Sequence, residues 1–555
     1  MAQSSPSPAK VIPHFQDIAR ESGLGVPHTS SVDKRYIMES TSGGVGFIDC
    51  DNDGNLDIIT VNGSTVESYK KGGDPMITLY HQDKHLKFSD ITKSAGLTRN
   101  GWGMGVSVMD YDNDGWQDIF VTGYGGDILY RNLGNCKFED VTVKSGLKVE
   151  GWTTGGAWAD YDRDGHLDLF ISRYLDIDIN KLPAFGSDDK FCRYKGVMVQ
   201  CGPGGLPGES DYLFHNRGDG TFEDVSKKAG VDDADHFYGL TGIWADYDND
   251  GWPDLYVAND SQPNYLYHNN HDGTFEDVGL MSGAALSLEG RPLGSMGIDF
   301  ADIDHDGRLD IFVTNFSHES NNLYWNQGDR GFTDIAESGG VIKPDSTYVG
   351  WGAGFIDIDN DGWPDIFLVN GHVYPQMDDA KGEAGYRQPV ILYRNEGNRV
   401  FKDVTALAGL HALPLSSRRG VAFGDVNNDG KTDILILNIG EPPTLLLNRT
   451  ESSSHAVLFH LVGTKSNRAA IGARVTVTAG TFAQMNEVRS GGSYISQNDL
   501  RLHFGLGANN VMSAVQIAWP SGTKEDYKNL PADLIYTMVE GKGITDKTSL
   551  SAGSK

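Results

Sequence analysis

One nine-residue phrase, Asp-x-Asp-x-Asp-Gly-x-x-Asp, returns seven times along the chain, beginning at Asp49, Asp110, Asp160, Asp246, Asp302, Asp357 and Asp425. Only the last copy departs from it, with Asn427 at the third position. Hard cations such as Ca²⁺ take about six to eight oxygens at roughly 2.3–2.6 Å, mostly from carboxylates and carbonyls. Alternate carboxylates around a glycine-permitted turn supply that geometry. Four inward carboxylates without a cation would repel one another strongly. The phrase therefore predicts about seven bound Ca²⁺, one per repeat.

The expected ligands are Asp49, Asp51, Asp53 and Asp57 in the first loop, and Asp110, Asp112, Asp114 and Asp118 in the second. Asp160, Asp162, Asp164 and Asp168 form the third, and Asp246, Asp248, Asp250 and Asp254 the fourth. Asp302, Asp304, Asp306 and Asp310 follow, then Asp357, Asp359, Asp361 and Asp365. Asp425, Asn427, Asp429 and Asp433 complete the set. These are not EF-hand loops, which close with a Glu at position 12 and lie between helices. Here position 12 of the second loop is Val121, inside an apolar run.

Each loop is followed by a short β-branched or aromatic run, such as Ile119-Phe120-Val121 or Ile366-Phe367-Leu368. Such runs beside turn signals read as buried strands. Two more phrases alternate with the loops: Leu-Tyr-x-Asn, as at Leu129, and Phe-x-Asp-Val/Ile, as at Phe138. Together with a Gly-rich strand before each loop they make four strands per repeat, the size of a propeller blade. The first Phe-x-Asp phrase, at Phe15, precedes every loop, and the last Leu-rich phrase, Leu445 to Asn448, has none after it. The strand Phe15 to Ile18 is thus expected to complete the final blade, closing a seven-bladed all-β propeller and removing its exposed edges. A small β-sandwich is expected to follow.

The expected boundaries are a disordered tail over 1–10, the propeller over 11–449 with an insertion at 174–211, a β domain over 455–545 and a tail over 546–555. Alternation in Ala473-Arg474-Val475-Thr476-Val477-Thr478 supports half-buried strands in the second domain. The formal charge is −30, and the loops hold 27 of the 76 acidic residues. Even after seven Ca²⁺ the balance stays acidic, which argues against nucleic acid as a partner. No apolar run reaches the length of a membrane span. The first ten residues are polar and carry no signal-peptide core, so a removed leader or a cytosolic location are the two readings. Seven such sites suit a calcium-rich exterior, and Cys192 and Cys201 suit a disulfide, so the expected location is extracellular or periplasmic with the leader removed. Cys50 and Cys136 stay unpaired by sequence reasoning.

The loops resemble the FG-GAP/VCBS repeats of integrin α-chain propellers. The segments Gly463-Thr464-Lys465-Ser466-Asn467-Arg468, Gly491-Gly492-Ser493-Tyr494, Leu502-His503-Phe504-Gly505 and Trp519-Pro520-Ser521-Gly522 resemble the ASPIC/UnbV domain. The combination resembles the family of cartilage acidic protein and its bacterial relatives. The resemblance implies the propeller, calcium binding and extracellular binding roles in animals. UnbV-like members accompany enediyne biosynthesis, which leaves accessory or enzymatic work open.

No Gly-x-Ser-x-Gly, His-Glu-x-x-His or phosphate loop is present. Trp102, Trp152 and Trp351 precede the Gly-rich innermost strands, near the expected central channel, and Arg291, His318, His372 and Arg418 fall at blade starts or after buried strands. Aromatic and basic residues around a propeller mouth would suit a carbohydrate, another small molecule or a protein ligand. Asn467, Arg468, Arg474, Tyr494 and Trp519 form a second candidate surface. The leading expectation is a secreted calcium-binding interaction module. The alternative is a calcium-dependent lyase, dehydratase or cyclase acting on a carbohydrate or secondary metabolite in the central funnel.

Overall fold

The computed structural model describes residues 11–83, 85–182 and 192–551. Seven four-stranded antiparallel sheets form seven blades, and the first six run outward in chain order. Blade 2 is representative, with strands Gly103–Met109, Asp118–Gly123, Ile128–Asn132 and Phe138–Asp140. In blade 7 the three strands Arg418–Gly424, Asp433–Asn438 and Thr444–Asn448 are completed by Phe15–Asp17 from the N-terminal segment. Phe15 pairs with Asn448 and Asp17 with Leu446. Each innermost strand touches those of both neighbouring blades, including blade 7 against blade 1, so the ring is closed as expected.

The repeated phrases have local causes. The Asp of each Phe-x-Asp strand accepts the amide two residues on, as Asp140 does from Thr142 at 3.0 Å. That contact starts a one-turn helix which ends on a left-handed glycine, Gly146 with φ 78°. The Tyr of the Leu-Tyr phrase is buried between blades: Tyr130, Tyr324 and Tyr393 are 1% exposed. A buried aromatic of this size contributes on the order of 2–3 kcal/mol.

The second domain packs two four-stranded sheets face to face. One joins Leu502–Gly507, His455–Val462, Leu534–Val539 and Gly543–Ser549, and the other Phe482–Glu487, Arg474–Ala479, Val511–Ala518 and Lys524–Pro531. Val475 and Val477 point inward with Phe459, Val515 and Tyr536, as the alternation requires. The last strand runs to Ser549, four residues past the expected boundary, because it pairs with Leu534–Val539 from Ser549 back to Gly543. The expected tail over 1–10 lies outside the described residues.

This domain rests on the propeller face that carries the Asp-rich loops. Between its sheets, residues 489–499 descend into the central channel. There Gln497 bridges to Gly46 of blade 1, Gly491 to Ile243 of blade 4 and Ser493 to Ile298 of blade 5. Tyr494 is fully buried, donates its hydroxyl to Thr41 O at 2.8 Å and meets Trp351 edge-on at 4.7 Å. The expected open funnel is therefore filled along its axis.

The opposite mouth is covered by the insertion after blade 3's second strand. Its hairpin, Cys192–Tyr194 with Val197–Val199, is closed by the Cys192–Cys201 disulfide. Tyr194 packs on Phe316, His372 and Tyr374. Residues 183–191 of the insertion lie outside the described residues.

Candidate metal centres and the two faces of the ring

All seven loops share one hydrogen-bond plan. The first Asp takes the amide of the Gly at position 6, from Gly54 N to Asp49 Oδ2 at 3.0 Å through Gly430 N to Asp425 Oδ2 at 2.7 Å. That glycine is left-handed in every copy, with φ between 80° and 93°, a conformation that costs other residues a steric penalty. The Asp at position 9 takes the amide of the Asn or Gln that ends the Leu-Tyr strand, as Asp118 Oδ1 does from Asn132 at 2.7 Å. Positions 1 and 9 are thus pinned by the backbone, while positions 3 and 5 turn toward them. Asp49, Asp51 and Asp53 bring oxygens within 4.8 Å of one another, and so do Asp110, Asp112 and Asp118.

Five loops leave a buried carboxylate oxygen without a hydrogen-bond partner: Asp51 Oδ1, Asp160 Oδ1, Asp254 Oδ2, Asp304 Oδ1 and Asp429 Oδ2. Orphaned buried anionic oxygens cost about 1–3 kcal/mol each or more. A hard divalent cation is the group that fits them. Without one, burial first and neighbouring carboxylates second push the loop acids upward. Asp302 rises to about 6, Asp110 to about 7 and Asp160 to about 8.

The loops differ in what faces them. In blade 2, Arg131 contacts Asp112 at 2.6 Å and Asp114 at 2.9 Å, so that loop carries a cation of its own. In blade 5, Arg399 contacts Asp304 at 2.8 Å. In blades 1, 3 and 4 the corresponding strand supplies His81, His215 and His268. The x of Leu-Tyr-x-Asn carries Arg131, His81, His215 and His268, and its change from copy to copy hides that role in the sequence. Cys50, at position 2 of the first loop, is bonded to Cys136 of blade 2, which pairs the cysteines that sequence reasoning left open.

Of the residues proposed for the second domain's surface, Asn467, Tyr494 and Trp519 are buried, Arg474 is half-buried against the propeller and Arg468 is exposed. Arg474 reaches Asp246 O at 2.7 Å and Glu487, the Arg468 backbone N–H donates to Asn113 Oδ1 at 2.7 Å, and Trp519 is 2% exposed in the sandwich core. Asn467 takes the Ile471 amide at 2.9 Å and Tyr494 plugs the channel. Arg501, which the sequence did not single out, joins them by donating to Asp425 O at 2.8 Å and Asn428 Oδ1 at 2.6 Å.

The seven candidates for the mouth of the ring all lie at the strand ends opposite the Asp-rich loops, but they do not share one solvent-facing site. Trp102, Trp152 and Trp351 are buried in one cluster beneath the insertion, and His372, 1% exposed, packs beside it on Tyr194 and Tyr374. Trp351 donates its indole N–H to Gly371 O at 2.7 Å and lies under the Arg419 guanidinium at 4.0 Å. His372 Nδ1 accepts the Tyr374 amide at 3.2 Å, and burial drives its ring down to about 3. Arg418 is buried too, donating to Gln388 O and Pro414 O at 2.7 Å each. Only Arg291 and His318 are exposed; Arg291 lies beside Glu289, and His318 is 3.1 Å from Glu383.

Residues 49–121, 110–171, 201–257, 246–313, 302–368 and 383–436 match the FG-GAP-like repeat family, and residues 463–545 match ASPIC and UnbV. Cartilage acidic protein 1 of Homo sapiens is 27% identical over 277 residues, covering 48% of this chain and 39% of that protein. The chain spans less than half the length of the curated relatives it matches, 39–46% of each. Among solved structures, an Agrocybe aegerita lectin that recognises non-reducing terminal N-acetylglucosamine is 16% identical with a TM-score of 0.39, covering 72% of this chain and 87% of its own. The BP39L lectin of Burkholderia pseudomallei is 11% identical with a TM-score of 0.41, covering 74% and 96%. With all seven Asp-rich loops inside the matched residues, the chain belongs to the FG-GAP-like repeat family, in the cartilage acidic protein-like arrangement of a repeat propeller followed by an ASPIC and UnbV domain.

Proposed function

We propose that this chain is a calcium-loaded interaction module of an extracellular or periplasmic compartment. The observation that carries the reading is the set of buried, unpartnered carboxylate oxygens repeated around one face of the ring. Residues at positions 1, 3, 5 and 9 of each loop would hold the ion, which supplies charge neutralisation and a rigid cross-link there. Two disulfides among the described residues fit an oxidising compartment. No helix among the described residues is long and apolar enough to cross a membrane.

Binding is favoured over catalysis in a central funnel because Tyr494 and Ile495 occupy the channel axis. The platform left is the face opposite the second domain, where the disulfide-closed hairpin, Arg291 and His318 lie. Loops held by a rigid scaffold are where recognition usually resides. The exposed Arg291 and His318 there suit a carbohydrate or protein ligand. Metal analysis of the calcium-equilibrated protein, with titration calorimetry after stripping, tests the reading. About seven Ca²⁺ per chain are expected, and fewer than two would reject it. Binding to glycan or extracellular-protein arrays should be lost on chelation and weakened by Arg291→Glu.

A further inference from the structure

We propose that the loops of blades 1, 3 and 4 form a second class of metal site, selective for a borderline transition-metal divalent such as Zn²⁺. This inference rests on the calcium reading of the loops and divides them by chemistry. In these blades the third strand places an imidazole against the position-3 and position-9 carboxylates. His215 Nδ1 lies 3.1 Å from Asp168 Oδ1 and 3.5 Å from Asp162 Oδ2. His268 Nδ1 lies 3.2 Å from Asp254 Oδ1 and 3.4 Å from Asp248 Oδ2. His81 Nε2 lies 3.0 Å from Asp51 Oδ2, and its ring groups with Asp51 and Asp57.

Donor atoms bound at about 2.0–2.2 Å to one tetrahedral Zn²⁺ sit roughly 3.3–3.6 Å apart, close to the spacings of the His215 and His268 triads. Ca²⁺ is hard and gains little from nitrogen, whereas imidazole with carboxylate suits Zn²⁺, Mn²⁺ and Co²⁺. Two carboxylates and one imidazole leave at least one coordination position for water. The three rings are 24–29% exposed, so a cation can enter from the rim.

Unpartnered carboxylate oxygens, found in five of the loops, point to a missing partner in these three as well. In blade 4 Asp254, 1% exposed and facing His268, has an unpartnered Oδ2, and in blade 1 Asp51 has an unpartnered Oδ1; in blade 3 the unpartnered oxygen is Oδ1 of the position-1 Asp160, beside the triad. The remaining blades are an internal contrast. At the histidine position they carry Arg131, Trp325, Arg394 and Leu447, none of which can ligate a cation. In blade 1 the neighbouring Cys136 is held in its disulfide and offers no thiolate.

The test uses the full chain, stripped of metal, equilibrated with excess Ca²⁺ and Co²⁺ together and desalted, with both metals counted in one sample. Three Co²⁺ per chain are expected, with the visible absorption of nitrogen-bound Co²⁺. The triple substitution His81→Asn, His215→Asn and His268→Asn should drop Co²⁺ below one per chain and raise Ca²⁺ correspondingly. If the triple variant does not fold, each single substitution should remove one Co²⁺. Wild-type protein holding Ca²⁺ but less than one Co²⁺, or Co²⁺ content unmoved by the substitutions, overturns the proposal. Absence of Ca²⁺ from every sample would instead overturn the calcium reading, with the Co²⁺ count still deciding this one.

Discussion

The side-chain amide of Asn132 in blade 2 donates to the backbone carbonyl of Cys50 in the Asp-rich loop of blade 1, at 2.9 Å. The same bond recurs from each blade to the loop before it: Asn216 to Tyr111, Asn269 to Tyr161, Asn326 to Tyr247, Asn395 to Ile303 and Asn448 to Ile358. Gln82 completes the circle by reaching Val426 of blade 7 at 3.1 Å. A second set runs the other way, from position 4 of one loop to the glycine carbonyl of the next, as Asn52 does to Gly115 O and Asn428 to Gly54 O. Those position-4 residues have positive φ, Asn52 at 57° for example, which Asn tolerates better than most. The loops are therefore linked around the ring.

Asn395→Ala should expose the strength of this linkage. It removes the donations to Ile303 O and Pro364 O and the acceptance from Gly397 N, all in a residue 3% exposed. Buried groups left unpaired cost about 1–3 kcal/mol each with partial relaxation, so a total loss of about 2–4 kcal/mol is expected. Urea unfolding in saturating Ca²⁺ measures it. A loss below about 0.5 kcal/mol would mean the inter-blade bond carries no weight.

Chelation should lower the melting temperature by more than about ten degrees, since each site at 100 times its dissociation constant contributes about 2.7 kcal/mol by mass action. Because the loops are linked, the loss should come as one transition. Calorimetry in excess EDTA, with metal removal verified, checks both points. An unchanged melting curve would remove calcium from the account of stability.

The acidity of the loops gives that effect a pH dependence. Without a cation, Asp302, Asp110 and Asp160 titrate at about 6, 7 and 8, above the ordinary carboxylate value, through burial first and like charge second. A raised folded-state value means that the metal-free fold binds extra protons. Their contribution is fully present near pH 4 and lost as pH rises through 6 to 8. Calcium binding must expel those protons, so its affinity rises over the same window. The drop in melting temperature on chelation should be larger at pH 8 than at pH 5.5. Titration calorimetry at pH 6.5 in buffers of different ionisation enthalpy should report proton release. Equal effects at both pH values would contradict the assignment.

Much of this architecture could be read from the chain. The loops, the strand after each and closure by Phe15 follow from local chemistry repeated seven times, where every copy reinforces the others. What escaped sequence reading is non-local or non-repeated. Gly491-Gly492-Ser493-Tyr494 has no period, so nothing marked it as the channel plug. Trp102, Trp152 and Trp351 looked like ligand-facing aromatics because strand ends are often exposed, but the insertion covers them. The pairing of Cys50 with Cys136 depends on the approach of two blades, which spacing does not encode.

Removing residues 1–20 should open the ring. It strips Phe15–Asp17 from Thr444–Asn448 and buried Ile18 and Ala19 from the seam between blades 7 and 1. An unpaired edge strand invites association with another chain, so size-exclusion chromatography should show aggregation and the melting transition should broaden. A truncated protein that stays monomeric at the same melting temperature would contradict closure as a source of stability.

The channel plug gives the last prediction. Tyr494→Ala deletes a fully buried ring held against Trp351 and a hydroxyl bonded to Thr41 O. Truncating a core aromatic costs about 3–5 kcal/mol, whereas Tyr494→Phe loses only the hydrogen bond, about 1 kcal/mol. The adjoining backbone bonds, Val106 N to Ile495 O at 3.1 Å and Phe47 N to Gln497 O at 3.1 Å, belong to the same segment and should loosen with it. The two domains should then come apart in stages. Limited proteolysis is expected to cut between Thr450 and Ser454 faster in Tyr494→Ala than in Tyr494→Phe, and near-ultraviolet dichroism should report the released Trp351. If both variants resist cleavage like the parent, the sandwich is held by the arginine contacts to the loops, and combining Tyr494→Ala with Arg501→Ala should release it.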